Sequence, residues 1–272
     1  MTDRYAVIGN PIAHSKSPRL HAAFARQCGQ DLSYEALLAP LDGFAATVAA
    51  FRDAGGRGMN VTVPFKVEAL QLADRLTDRA RLAGAVNTLC FEADGVLGDN
   101  TDGVGLVTDI RDRLGVPLAG ARVLLLGAGG AARGVILPLL DAGVESLMIA
   151  NRTPDKAVQL IAPFGIREGL HAGGFGMLAQ HEFEVVINAT SASLADAGLP
   201  LPQGLFADGA LAYDMVYGKG ETRFLADARA LGAARFADGL GMLVAQAAES
   251  FLLWRGVRPE IGPVIAELQQ PG

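Results

Sequence analysis

The sequence predicts an α/β protein of two domains, and three observations carry that reading. Arg122-Val123-Leu124-Leu125-Leu126 is an apolar run that ends in the cluster Gly127-Ala128-Gly129-Gly130-Ala131-Ala132, and a helical pattern follows at once. On both sides of this stretch, short strand-like runs alternate with helical ones, as in α/β architectures. Between the two sets lies Gly115 to Ala121, a Pro- and Gly-containing linker.

The glycine cluster fits G-x-G-x-x-A. Gly127 permits a tight turn, Gly129 lets a pyrophosphate approach the backbone, and Ala132 allows helix and strand to pack closely. The free N–H groups and dipole of the helix start suit phosphate. The following strand, Ser146 to Ala150, ends at Asn151-Arg152-Thr153, with Lys156 just beyond. An acidic residue here would hold the ribose hydroxyls of NAD. A guanidinium instead favours the 2′-phosphate of NADP.

The remaining elements follow in order. Tyr5 to Ile8 reads as a strand and runs into the turn Gly9-Asn10-Pro11. Ser17 before Pro18 reads as the N-cap of a helix reaching Gly29, with Ser15 as a turn residue. Tyr34 to Leu38 is a strand and Phe44 to Phe51 a helix, broken by Gly55-Gly56-Arg57-Gly58. Met59 to Val63 is a β-branched strand stopped by Pro64, after which Phe65 and Lys66 open a helix. Ala85 to Phe91 is a strand, Asp94-Gly95 a hairpin signal, and Gly98 to Gly103 a polar cluster before a helix that Asp102 could cap. Val185 to Thr190 and Ala212 to Val216 read as buried strands. Leu240 to Trp254 is a helix apolar on nearly all faces, with Gln246 inside it needing a partner if buried. No strand follows, so the terminal helices are expected to return to the first domain.

The chain has 272 residues, is 50% hydrophobic and carries a net charge of −6, enough for a large core and contrary to bulk attraction for nucleic acid. No apolar run is long enough for a bilayer span and no secretory pattern opens the chain, so a soluble cytoplasmic protein is expected. Cys28 and Cys90 show no metal or redox spacing. His14, His21, His171 and His181 show no ligand spacing, so no metal is expected.

GNPIAHSKSP, NVTVPFK, GAVNT, GDNTDG, LGAGGAARG, ANRT, NATS and DGLGMLVAQAA occur in this order along essentially the whole chain. In combination they resemble the shikimate dehydrogenase family, NADP-dependent enzymes of aromatic amino-acid biosynthesis. The resemblance implies reversible reduction of 3-dehydroshikimate to shikimate by NADPH, with Lys66 and Asp102 as the catalytic pair. It implies that Ser15, Ser17, Thr62, Asn87, Tyr217 and Gln246 surround the substrate. It places NADP(H) on Gly127, Ala128, Gly129, Gly130 and Ala131, on Asn151, Arg152, Thr153 and Lys156, and near Thr190, Met215 and Gly239. The expected domains are 1–102 with about 240–272, a mixed-sheet substrate domain, and 103–239, a Rossmann-type domain, joined twice with a cleft between them. Partners are expected to be small molecules, and the chain a monomer or homodimer.

Two positions depart from the family's pattern: Lys156 where Arg is common, and Ser193 where the loop after NATS often carries glycine. Three alternatives stand beside this reading. They are a quinate/shikimate dehydrogenase using NAD, a methylenetetrahydrofolate dehydrogenase, and a non-catalytic NADP-responsive binding protein. The sequence leaves open which of Lys66 and Asp102 moves the proton.

Overall fold

The computed structural model describes residues 2–218 and 220–269. Residues 1 and 270–272, at the ends of the expected first domain, lie outside that range. The chain forms two compact units, Met1–Gly105 with Leu243–Gly272, and Leu106–Met242.

The first unit carries β1 (Asp3–Gly9), α1 (Ser17–Cys28), β2 (Leu32–Leu38), α2 (Phe44–Asp53), β3 (Gly56–Val61), α3 (Lys66–Leu72), β4 (Arg75–Leu76), α4 (Asp78–Ala83), β5 (Thr88–Glu92), β6 (Gly95–Asp99) and the start of α5 (Asp102–Thr108). Its sheet has the order β2-β1-β3-β5-β6-β4. Strands β1, β2 and β3 are parallel, whereas β5 runs antiparallel to both β3 and β6. Helical crossovers join the parallel strands. The Asp94-Gly95 signal marks a hairpin in which Glu92 pairs with Gly95.

Two strands are shifted from their sequence positions. β3 starts at Gly56, inside the glycine run read as a break. A Cβ on Gly56 would lie 2.3 Å from the Phe51 ring, and one on Gly58 2.4 Å from Trp254 Nε1. These glycines admit aromatic rings against the strand rather than turning the chain. β5 starts at Thr88 and not Ala85, although the Asn87 backbone still accepts Val61 N–H at 2.7 Å and donates to Asp99 C=O at 3.0 Å. The short β4 and α4 carry too few residues for a periodic signal.

Most of the unit's core joins Ile8, Phe44, Val48, Met59, Phe65 and Leu89. A second cluster is aromatic. His21 of α1 stacks on Tyr34 of β2 at 4.1 Å and 3°, with Phe24, Phe251 and Trp254 around it. Trp254 Nε1 donates to Leu89 C=O at 3.0 Å. The terminal helix α10 (Ile261–Gln269) lies against α1, where Arg26 meets Glu267 at 3.3 Å.

The second unit carries β7 (Arg122–Leu126), α6 (Gly130–Asp141), β8 (Ser146–Ala150), α7 (Pro154–Ile161), β9 (Leu170–Gly173), β10 (Phe183–Asn188), β11 (Phe206–Asp214), α8 (Arg223–Ala230), β12 (Arg235–Asp238) and the start of α9 (Leu240–Arg255). The strands are all parallel, in the order β12-β11-β10-β7-β8-β9. Along β7, Val123 and Leu125 enter one core cluster and Leu124 and Leu126 another. Both faces are therefore covered, which is why this strand reads as a continuous apolar run rather than an alternating one. β10 and β11 end at Asn188 and Asp214, two residues before the sequence reading, so Thr190, Met215 and Val216 stand beyond the strand ends. Among the described residues no helix is long and apolar enough to cross a membrane.

His21 has a measurable consequence. It is 0% exposed, and burial lowers its pKa to about 3, against a smaller upward pull from Asn60. The unfolded imidazole titrates near 6.5, so between these values the unfolded chain binds the extra proton and stability rises with pH. The contribution is complete above about pH 6.5 and is lost as pH falls toward 3. At pH 4.5 the loss should be roughly 2–3 kcal/mol relative to pH 7. Urea titrations of wild type and His21→Phe at both pH values check this. The variant should lose markedly less stability on acidification, and an equal loss would contradict the assignment.

Candidate active site

Strand directions in the first sheet bring its polar loops to one edge. The carboxyl ends of the parallel strands β1 and β3 lie there. Because β5 runs the other way, its amino end joins them, and so does the carboxyl end of β6. The loops leaving or entering at that edge hold Ser15, Thr62, Lys66, Asn87 and Asp102. Asn10 N–H donates to Val63 C=O at 3.0 Å and ties the first two loops together.

Lys66 Nζ and Asp102 Oδ2 are 2.6 Å apart, with their side chains 31% and 18% exposed. Lys66 is the first residue of α3 and Asp102 the first of α5, so each side chain is aimed by a helix start. The pair is partly buried, neither a fully solvated surface bridge nor a fully desolvated one.

The other Asp102 oxygen, Oδ1, accepts from Asn87 Nδ2 at 2.8 Å. The orientation of the Asn87 amide is forced. Its Oδ1 accepts the Thr101 backbone N–H at 2.9 Å, and a backbone N–H can only donate. Thr88 Oγ1 donates to the same oxygen at 2.8 Å. The amide nitrogen must therefore face the carboxylate. Gln246, from α9, sits 3.4 Å from Asn87 Nδ2 through Oε1 and anchors its own Nε2 on Leu243 C=O at 2.8 Å. That supplies the partner its place in an apolar helix demanded. Gly105 makes room for it: a Cβ there would lie 2.7 Å from the Gln246 backbone nitrogen.

The serines differ from the capping reading. α1 starts at Ser17 with Lys16 in the cap position, and no side chain caps it. Ser15 Oγ instead accepts Ser17 N–H at 3.3 Å, the turn role expected of it. The Ser17 hydroxyl is therefore not spent on capping the helix.

Behind this edge lies a polar cluster that the sequence reading did not single out. Asn60 Nδ2 donates to Ser250 Oγ at 2.9 Å and Thr88 Oγ1 at 3.1 Å, and Tyr34 donates to Asn60 Oδ1 at 2.7 Å. Asn60 stands in NVTVPFK and Thr88 in GAVNT. An asparagine between Met59 and Val61, inside a strand run, was the available signal.

In the second unit the glycine turn has the expected form. Gly127 has φ +108°, and a Cβ there would lie 3.0 Å from Thr190 Cγ2. Cβ atoms built on Gly129 and Gly130 would meet nothing within 4 Å, so the space above the turn is open. α6 begins there without a side-chain cap, leaving its first N–H groups available. These features fit a dinucleotide pyrophosphate. After β8, Arg152, Thr153 and Lys156 are exposed, and neither Arg152 nor Lys156 is in an ion pair among the described residues. Asn151 Nδ2 turns back onto Thr153 C=O at 2.9 Å. Met215 and Gly239 are adjacent, since a Cβ on Gly239 would lie 2.2 Å from Met215 O. Tyr217, expected beside the substrate, belongs to this second unit, and burial raises its phenol pKa. No group of three or more metal-ligating side chains occurs among the described residues.

Family models match the chain in three consecutive pieces. They are the shikimate dehydrogenase substrate binding domain at residues 7–89, shikimate/quinate 5-dehydrogenase at 110–195 and the shikimate 5′-dehydrogenase C-terminal domain at 239–269. The shikimate dehydrogenase (NADP(+)) of Aromatoleum aromaticum is 64% identical over 271 residues, covering 98% of this chain and 97% of the relative. Among solved structures, an Ael1 enzyme from Pseudomonas putida aligns with TM-score 0.95 and 51% identity over 99% of both chains. The shikimate 5-dehydrogenase of Thermus thermophilus, in complex with NADP(H) and shikimate, aligns with TM-score 0.85 and 36% identity over 97% of this chain and 98% of its own. With its mixed first sheet and parallel second sheet, and with relatives matching nearly end to end, the chain belongs to the shikimate dehydrogenase family.

Proposed function

We propose that the chain catalyses the reversible, NADPH-dependent reduction of 3-dehydroshikimate to shikimate. The observation that carries this reading is the Lys66–Asp102 pair, 2.6 Å apart on an edge crowded with hydroxyls and amides. Reduction of a ketone adds a hydride to carbon and a proton to oxygen. Bound NADPH supplies the hydride. The Lys66 ammonium faces the oxygen as negative charge develops, and stabilises it. The Lys66–Asp102 pair then provides the proton as a unit, and takes it back in the reverse direction. Asn87 holds the Asp102 carboxylate with one oxygen toward Lys66. Ser15 and Ser17 offer hydroxyl hydrogen bonds to the substrate carboxylate, and Thr62 and Gln246 offer polar contacts to the ring hydroxyls. The glycine turn receives the cofactor pyrophosphate, and Arg152, with Lys156, the 2′-phosphate.

Absorbance at the nicotinamide band tests the reading directly. With NADP⁺ the wild type should oxidise shikimate, and quinate much more slowly; no turnover of shikimate, or faster turnover of quinate, would overturn the substrate assignment. Lys66→Met should lower kcat and kcat/KM by a similar factor, about 10²–10⁴-fold or more, because the lost contact operates in the transition state. The fold should persist, since Met keeps the apolar stem of a part-exposed residue. A folded variant with near-normal kcat would remove Lys66 from the mechanism.

Cofactor choice gives a separate expectation. NADP(H) should be preferred over NAD(H) in kcat/KM by at least ~10-fold, about 1.4 kcal/mol, the low end for a hydrogen bond to a charged group. Arg152→Ala should remove most of that preference while leaving the rate with NAD nearly unchanged. Equal use of both cofactors by the wild type would count against Arg152 as the phosphate contact.

A further inference from the structure

At the carboxyl ends of β10 and β11, within the second unit, a buried carboxylate gathers three segments of chain. Asp214 is 0% exposed. Its Oδ1 accepts Val216 N–H at 3.0 Å and Asn188 Nδ2 at 3.2 Å. Its Oδ2 accepts the hydroxyls of Ser193 at 2.5 Å and Thr222 at 2.6 Å. All four donors are uncharged. Thr222 is also the cap of α8, accepting Leu225 N–H, so the positive end of that helix dipole lies beside the carboxylate. A charge this deeply buried persists only when its lone pairs are filled, and here each oxygen has two donors.

The knot extends through Asn188. Its Nδ2 is shared between Ser193 Oγ at 3.1 Å and Asp214, so its Oδ1 must point the other way. There it accepts both the backbone N–H and the hydroxyl of Thr190, at 3.0 and 2.7 Å. The Thr190 hydroxyl proton is thereby committed. Its methyl group packs on Gly127, the first glycine of the phosphate turn. One carboxylate thus fixes the loop from Asn188 to Ser193, the backbone just past β11, and the residue that abuts the glycine turn.

Dinucleotides bind across the point where a doubly wound sheet reverses its strand order. In this sheet that point is beside β7, and the 2′-phosphate side lies over β8, where Arg152 stands. The other half of the cofactor must extend over β10 and β11, onto the segments Asp214 holds.

We propose that Asp214 is a positioning residue for the nicotinamide half of NADP(H), acting through Ser193, Asn188 and Val216. The proposal rests on the NADP-linked reading above. It also gives Ser193 a role: its hydroxyl closes the loop onto Asp214 where a glycine could not.

Two ligands separate positioning from general stability. NADP⁺ spans both halves of the site, whereas 2′,5′-ADP occupies only the adenosine half. Shikimate oxidation by the wild type is read first, and its absence would fault the functional reading and leave the binding comparison standing. Ser193→Ala and Asp214→Asn are then compared with wild type by calorimetric titration of each ligand and by turnover at saturating NADP⁺. Affinity for 2′,5′-ADP should stay within about twofold. The dissociation constant for NADP⁺ should rise, and turnover at saturation fall, by roughly tenfold, the loss of one hydrogen bond to a charged group. If both ligands weaken by the same factor, or if Tm falls while ligand binding and turnover hold, the knot only supports the fold and the proposal is wrong. Should Asp214→Asn fail to fold, Ser193→Ala decides, since it removes a single hydroxyl.

Discussion

The contact on which the site depends is the ion pair between Lys66 and Asp102. The two residues are 36 apart in sequence, and neither helix start would find the other without the strand reversal at β5. That reversal puts the entry to β5 and the exit of β6 on the same edge as the exits of β1 and β3. Change the direction of that one strand and Asn87 moves to the far end of the sheet. The mixed topology of the first unit gives the pair its partners.

Both units solve a similar problem with buried amides. Asn87 and Asn188 each stand at a strand end and are each locked by a backbone N–H that admits only one orientation. Each then offers its NH₂ group to a carboxylate, Asp102 in one case and Asp214 in the other. The difference is exposure. Asp102 keeps a solvent-facing side and a cation, which suits proton transfer. Asp214 is fully buried with neutral donors, which suits holding loops in place. An amide is well fitted to both tasks because it donates and accepts at fixed angles without a charge of its own.

Much of this was legible in the sequence because its signals were local. The β7 run and its glycines specify a strand, turn and helix start within a dozen residues, and the structure has them there. Lys66 after Pro64 and Asp102 before a helix were placed at element boundaries correctly. Readings failed where the deciding partner was distant. The run Gly55 to Gly58 looked like a break because Phe51 and Trp254, whose rings it admits, are not visible from the glycines themselves. Ser17 looked like a cap because the Ser-Pro pair is a good local signal, yet α1 takes its first turn without one. Asn60, Thr88 and Ser250 escaped notice because a hydrogen-bonded cluster drawn from β3, β5 and α9 leaves no periodic trace.

Lys66 and Asp102 are expected to act as one unit on one proton. A double-mutant cycle measures that directly, using kcat for shikimate oxidation by Lys66→Met, Asp102→Asn and the combined variant, with folding checked by circular dichroism. Residues acting as a unit are strongly non-additive. The combined variant should therefore be slower than the slower single variant by no more than about threefold. Losses that multiply across the two positions would show independent roles and contradict the account.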